Sequence, residues 1–296
     1  MNQSVFGSAL AAALAVDIQT APRADRKSGR RARHREMEAK FAALQRDYAD
    51  LHGALFEAGQ VYRRLCAPRV VRHGDFEIAS ETFAARHVPG DFFTVEERGD
   101  GVILALGDIS GKGLAAGMWT TLLLGLAGMH SATSGQPQAI VAGMNRDLFR
   151  MSLSVPLASL FLARLDPATG KLDYCSAGHP PAFLLRACGQ LELLSDGGTL
   201  LGVVADASFV SGSVELRVGD VLLAYSDGVL EARDRADQEF GFERLEAQLR
   251  RARSDSADAV LFSVLGAVQD FAGPCPQGDD MSIVVVRRCA PQTNSL

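Results

Sequence analysis

The stretch DFFTVEERGDGVILALGD, residues 91–108, decides the fold. Aromatic and β-branched residues fill its first half and an apolar run its second, the composition of two strands, and Gly99-Asp100 between them is a two-residue hairpin signal. A turn there sets the register. Asp91, at the start of one strand, then lies opposite Asp108, at the end of the next, with Cα atoms about 4.5 to 5.5 Å apart. Like charges placed so closely are destabilising unless something positive lies beside them. Beyond Asp108 the chain runs through the glycine-rich turn ISGKG into a helix-like stretch, Leu114 to Met129. A carboxylate at such a strand end is costly unless it is paired, hydrogen-bonded or on a metal.

Two more aspartates share this relation to strands. Asp227 ends VLLAYSD, and Asp279 lies just before MSIVVV, so antiparallel neighbours bring both to one sheet edge. Any one Gly-Asp pair is an ordinary turn signal, and the dipeptide also occurs at 74–75, 99–100 and 219–220. As a set, Asp91, Asp108, Asp227 and Asp279 form a hard-oxygen group with no compensating Arg or Lys expected among them, which suits Mg²⁺ or Mn²⁺. Two such ions sharing a carboxylate can hold a hydroxide and neutralise a phosphoryl group.

Outward from this region, short strand-like segments include FEIASETFA, LASLFLARLD, KLDYCSA, AFLLRA, LELLS and FVSGSVELR. Helix-like segments interrupt them at 113–132, 136–151, 241–252 and 256–271. Strands joined largely by hairpins, with helices inserted in pairs, predict α+β with antiparallel sheets. No internal repeat, Walker-type loop or G-x-G-x-x-G is present. Upstream, Met37, Phe41, Leu44, Tyr48, Leu51, Leu55, Ala58, Tyr62 and Leu65 alternate four-residue and three-residue steps, a heptad seam that stops before Pro68. Gly53 and Gly59 each weaken that helix by about 1 kcal/mol.

The 296 residues carry a net charge of −5, which gives no basic surface for non-specific nucleic-acid binding. The local excess of Arg and Lys in residues 23–40 reads as a solvated segment. Five cysteines without a C-x-x-C pair argue against a disulfide framework or a zinc site and fit a reducing cytoplasm. MNQSVFGSALAAALAV resembles a signal-peptide core, but no Lys or Arg precedes it. Leu114 to Met129 is short of a membrane span, and its glycines suit close packing in a core.

The ordered motifs GDFF, GDISGKG, AGHPPAFLL, LLAYSDGVLEA and GDDMSIVVV resemble the bacterial SpoIIE/RsbU-like branch of the metal-dependent PPM (PP2C-type) serine/threonine phosphatases, over about residues 70–289. The resemblance implies a PPM-type α-β-β-α sandwich of two antiparallel sheets flanked by helices, here preceded by the heptad helix. It implies two Mn²⁺ or Mg²⁺ ions. Asp108 would bridge them and the carbonyl of Ile109 would complete one. Asp227 and Asp279 would ligate the other, with Asp280 the adjacent candidate, and Asp91 would be a ligand or an acceptor orienting water on the metal. The implied substrate is a phosphorylated anti-sigma-factor antagonist. Pro89, Thr94 and Lys112 depart from the family pattern without removing a ligand, and Ser110 stands where the eukaryotic branch has a histidine. His179, beside two prolines, reads as structural.

The expected organisation is a flexible basic segment over 1–36, a coiled-coil-like linker helix over 37–67, a phosphatase domain over 68–289 and a tail over 290–296. The helix seam, 37–66, is expected to pair with a second copy or a coiled-coil partner. The rivals are a PPM-fold binding module without turnover and a membrane-associated scaffold using residues 1–35.

Overall fold

The computed structural model describes residues 23–66, 70–151 and 156–291. The apolar amino-terminal stretch and the last five residues lie outside them. The helical stretch through Ala54 and the segment Leu55–Leu296 are separate compact units.

Helix α1 spans Arg23–Leu65. It begins upstream of the expected Met37, because the basic run is interspersed with good helix formers and holds no proline after Pro22. Within it the seam divides. Met37, Phe41, Leu44, Tyr48 and Leu51 are each 60% or more exposed, whereas Tyr62 is only 6% exposed. Gly59, counted against the helix on propensity, is required by packing: a Cβ there would lie 2.5 Å from the carbonyl oxygen of His87.

The first sheet has strand order β1 (Val70–His73), β2 (Phe76–Phe83), β12 (Met281–Arg288), β11 (Val221–Tyr225), β7 (Ala182–Leu185), β8 (Leu191–Leu194). The second runs β10 (Gly212–Glu215), β6 (Lys171–Ala177), β5 (Ala158–Leu165), β4 (Gly101–Ile109), β3 (Phe92–Arg98), with the two-residue β9 (Gly197–Gly198) on β6. Apart from β9 every pairing is antiparallel. The hairpin register is the expected one, with Arg98 opposite Gly101 and Phe92 opposite Gly107.

Side-chain alternation makes three cores from these two sheets. On β12, Val284 and Val286 face the space between the sheets with Leu222 and Ala224 of β11, while Ile283 and Val285 face outward. Val102, Leu104 and Leu106 of β4 enter the same middle layer, and Ile103 and Ala105 face the opposite way. Strands buried on both faces explain why VILAL and SIVVV read as unbroken apolar runs.

The outer face of the first sheet is covered by α5 (Gly241–Ala252) and α6 (Ala257–Ala272), through Leu245, Leu249, Val260 and Val264. Ser256 caps α6, its side chain accepting from the amide of Ala259 at 3.3 Å. The second sheet is covered by α2 (Leu114–Thr133) and α3 (Pro137–Arg150), through Leu123, Leu126, Ile140 and Met144. The result is α-β-β-α, as the resemblance implies. The one-turn α4 (Asp227–Leu230) follows β11. Among the described residues no helix is long and apolar enough to cross a membrane. The five cysteines are free.

Candidate metal centre

Hairpin β3–β4 and strand pair β11–β12 each deliver carboxylates to the ends of their sheets. Asp91 directly precedes β3 and Asp108 is the penultimate residue of β4. Across the other sheet Tyr225 pairs with Ile283, so Asp227, two residues on, and Asp279, just before β12, lie at the same end of that pair. Gly228 makes this approach possible: a Cβ there would lie 2.0 Å from the carbonyl oxygen of Asp280. Asp108 and Asp227 line one cavity of about 430 Å³ with Ser110, Ser159, His179 and Leu200.

The aspartates differ in environment. Asp91 is 1% exposed, and burial holds its carboxyl well above the usual range against the pull of a 2.6 Å hydrogen bond from the Ser226 hydroxyl. The charges of Asp108 and Asp280 push the same way. Asp108 is raised to about 6 by burial and then by the negative charges of Asp227 and Asp279, with the neighbouring Asp91 carboxyl opposing the rise. Asp227 is raised by burial and by Asp279, with Lys112 opposing.

Lys112 corrects the expectation that no basic side chain compensates the group. Its ammonium stands 2.7 Å from Asp279 Oδ2 and donates at 2.8 Å to the carbonyl of Gly278. The GKG turn folds over the loop before β12, a contact between residues distant in sequence. The other oxygen of Asp279 accepts from the Asp280 amide at 2.9 Å.

Asp280 is turned inward. Its two oxygens accept from the amides of Ala85 and Gly90, each at 2.7 Å. It fastens the segment leading to Asp91 onto β12 and leaves Asp279 as the outward carboxylate of the pair. The same segment is held by the Tyr62 hydroxyl, which donates to the carbonyl of Asp91, and by Thr120, which donates to the carbonyl of Gly90 at 3.0 Å. Gly90 packs its Cα over the carbonyls of Ile109 and Gly111, where a Cβ would come within 3.2 and 3.1 Å. Sequence reading missed these anchors. Only the Thr and Tyr residue types, at buried helix positions, signalled them.

The donor chemistry fits a hard divalent cation: oxygen donors alone, with burial and then neighbouring negative charge raising the carboxyls of Asp91, Asp108 and Asp227. Among the described residues no three His, Cys, Asp or Glu side chains close into a single ligand group. Asp91 accepts from the Ser226 hydroxyl and Asp279 pairs with Lys112.

His179 is buried and neutral. Burial lowers its pKa to about 3, and Nδ1 lies 2.8 Å from the Ser159 hydroxyl. Trp119 packs partly buried against the α2–α3 core, and Met118 is 68% exposed.

Comparison with known proteins follows this architecture. A family model described as Stage II sporulation protein E (SpoIIE) matches residues 98–289. The phosphoserine phosphatase RsbU of Bacillus subtilis (strain 168) is 24% identical over 238 residues, 78% of this chain and 69% of that protein. Protein IcfG of Synechocystis sp. is 26% identical over 235 residues, 69% of this chain but only 36% of IcfG, so the chain spans about a third of that relative. The structure of the SiaA-PP2C domain of Pseudomonas aeruginosa superposes with a TM-score of 0.70 at 19% identity, covering 81% of this chain and 98% of that one. The matched region takes in the β3–β4 turn, Asp108, Asp227 and Asp279 together with most of both sheets, and the chain belongs to the SpoIIE family, the RsbU-like branch of the PPM fold.

Proposed function

We propose that the protein is a divalent-metal-dependent phosphatase that hydrolyses phosphoserine or phosphothreonine on a regulatory protein of the anti-sigma-factor-antagonist type, within a partner-switching pathway. The observation that carries this reading is the placement of Asp91, Asp108, Asp227 and Asp279 at matching ends of two strand pairs. The names of its relatives support the substrate class. A cytoplasmic location belongs to the same proposal, supported by the free cysteines.

Asp108, Asp227 and Asp279, with the carbonyl of Ile109, would hold two ions, Mn²⁺ or Mg²⁺. Bound there, the ions supply positive charge to the phosphoryl group and acidify water. The chain's own part is positioning. Asp91 is fixed by Ser226, and Asp280 and Tyr62 keep its segment in place. His179 holds Ser159 beside Asp108 as a neutral partner. The leaving group takes its proton from water, since no acid stands at Ser110.

The test is turnover of a phosphorylated regulatory protein after exhaustive chelation and after adding Mn²⁺. Activity that survives chelation overturns the reading. The Lys112–Asp279 ion pair favours the rival, a PPM-fold module that binds its partner without turnover, and Mn²⁺ titration with phosphoprotein separates the two: saturable metal binding without phosphate release supports the rival.

The exposed seam from Met37 to Leu51 is proposed to pair with a second copy of the chain. The seam is shorter than 37–66, because Tyr62 is committed to Asp91. Sedimentation of the full chain decides: a dimer that Leu44→Asp with Leu51→Asp converts to monomer supports pairing, and a wild-type monomer at micromolar concentration refutes it.

A further inference from the structure

A cavity of about 520 Å³ opens beside the carboxylate edge, between α4, the end of α6 and the loop before β12. Val268, Ala272 and Met281 give it apolar walls. Glu231, Asp234 and Asp279 supply acids, and Arg233 is the sole basic residue lining it. The Arg233 guanidinium is already committed to Glu239 and Asp237. Asp279 is paired with Lys112 and Asp234 accepts from the amides of Ala236 and Gln238, so the negative charge that the cavity joins to its apolar lining is that of Glu231.

Its place relative to the metal ligands is fixed by α4. The amide of Glu231 bonds to the carbonyl of Asp227 at 2.9 Å, so Glu231 sits one helical turn beyond that aspartate. Residues four apart share a helix face, about 6 Å from one another. An extended chain with its phosphorylated residue at the metal edge covers that distance in about two residues.

We propose that this cavity is a subsite for a lysine or arginine side chain of the phosphoprotein, about two residues from the phosphorylated one. The inference rests on the phosphatase reading above and names how that site chooses its substrate. A long basic side chain matches both features, its methylene stem lying along Val268, Ala272 and Met281 and its charged head reaching Glu231. An apolar side chain would leave Glu231 facing it unpaired, and an acidic one would be repelled.

The test uses the full chain with Mn²⁺ and fluorescent peptides in which a non-hydrolysable phosphonate replaces phosphoserine. Lysine, norleucine or glutamate is placed two residues to either side, and binding is read by anisotropy. The lysine peptide should bind about ten-fold more tightly than the norleucine peptide of the same length. Glu231→Gln should abolish that preference, and Glu231→Lys should turn it toward the glutamate peptide, a reversal that loss of structure cannot produce. Equal binding of lysine and norleucine peptides on both sides overturns the proposal, as does a preference that survives Glu231→Gln. Failure of the phosphatase reading looks different: the matching phosphoserine peptides keep their phosphate in every variant, while the anisotropy preference still reports on the cavity.

Discussion

The two halves of the carboxylate edge solve one problem in different ways. On the β3–β4 side, Asp91 and Asp108 face each other across a hairpin, and the Ser226 hydroxyl eases their repulsion by donating to Asp91 at 2.6 Å. On the β11–β12 side, Asp279 is neutralised by an ammonium brought from the GKG turn of the opposite sheet. A hydroxyl on one side and an ammonium on the other answer the same crowding of carboxylates. Both contacts tie the two sheets together.

This contrast is broken most severely at Asp108, the proposed shared ligand. Asp108→Asn, or chelation of the wild type, should lower turnover of a phosphoprotein by about a thousand-fold or more, since no other group at the edge supplies a comparable charge. Asp279→Asn should be nearly as damaging, while retention of more than a tenth of wild-type turnover by either variant would remove that residue from the ligand set.

A smaller effect tests the inward carboxylate. Asp280→Ala leaves the amides of Ala85 and Gly90 without their acceptors, so unfolding should become easier by about 2 to 4 kcal/mol, read from denaturant midpoints. Unchanged stability would mean that Asp280 does not hold the segment.

Lys112→Met sharpens the comparison from the other side. Removing the ammonium frees Asp279, so Mn²⁺ should bind a few-fold more tightly by calorimetry, an effect that salt diminishes. Weaker binding in the variant would show that Lys112 helps the site instead of competing for it.

The smallest effect concerns His179. The folded protein keeps it neutral down to about pH 3, whereas the unfolded chain protonates it near 6.5, so stability is full above 6.5 and declines as the pH falls toward 3. His179→Gln should flatten that part of the stability profile and leave the pH dependence of turnover above pH 6 where it was. A shifted turnover limb would bring His179 into the chemistry.

Much of this edge was legible in the sequence because strand period and hairpin length together fix register. Gly99-Asp100 alone placed Asp91 against Asp108, and the apolar runs of β11 and β12 placed Asp227 and Asp279 at like ends. What stayed hidden depends on contacts between distant segments. Neighbouring Asp279 and Asp280 have the same composition signal, and only the fold sends one outward and the other onto two amides. Lys112 looked like a solvated turn residue. Gly59 looked like a flaw in a helix until His87 lay against it. The heptad seam showed which face of α1 is apolar, but period cannot say that Tyr62 meets its own chain while Leu44 meets none of the described residues closely enough to be covered. The short β1 and the Gly-Gly β9 offered too few residues for any pattern.

Segment 84–90 has no regular secondary structure, yet it is held from several sides: by Asp280 on two of its amides, Thr120 on Gly90, Val88 against Gly117 and His87 against Gly59. In hydrogen–deuterium exchange, irregular segments normally exchange within seconds, and protection marks the free energy of the opening that exposes an amide. The amides of Ala85 and Gly90 should therefore exchange slowly, at the pace of β12. Their protection is a reporter of whether the carboxylate edge is assembled, readable without substrate, metal or turnover.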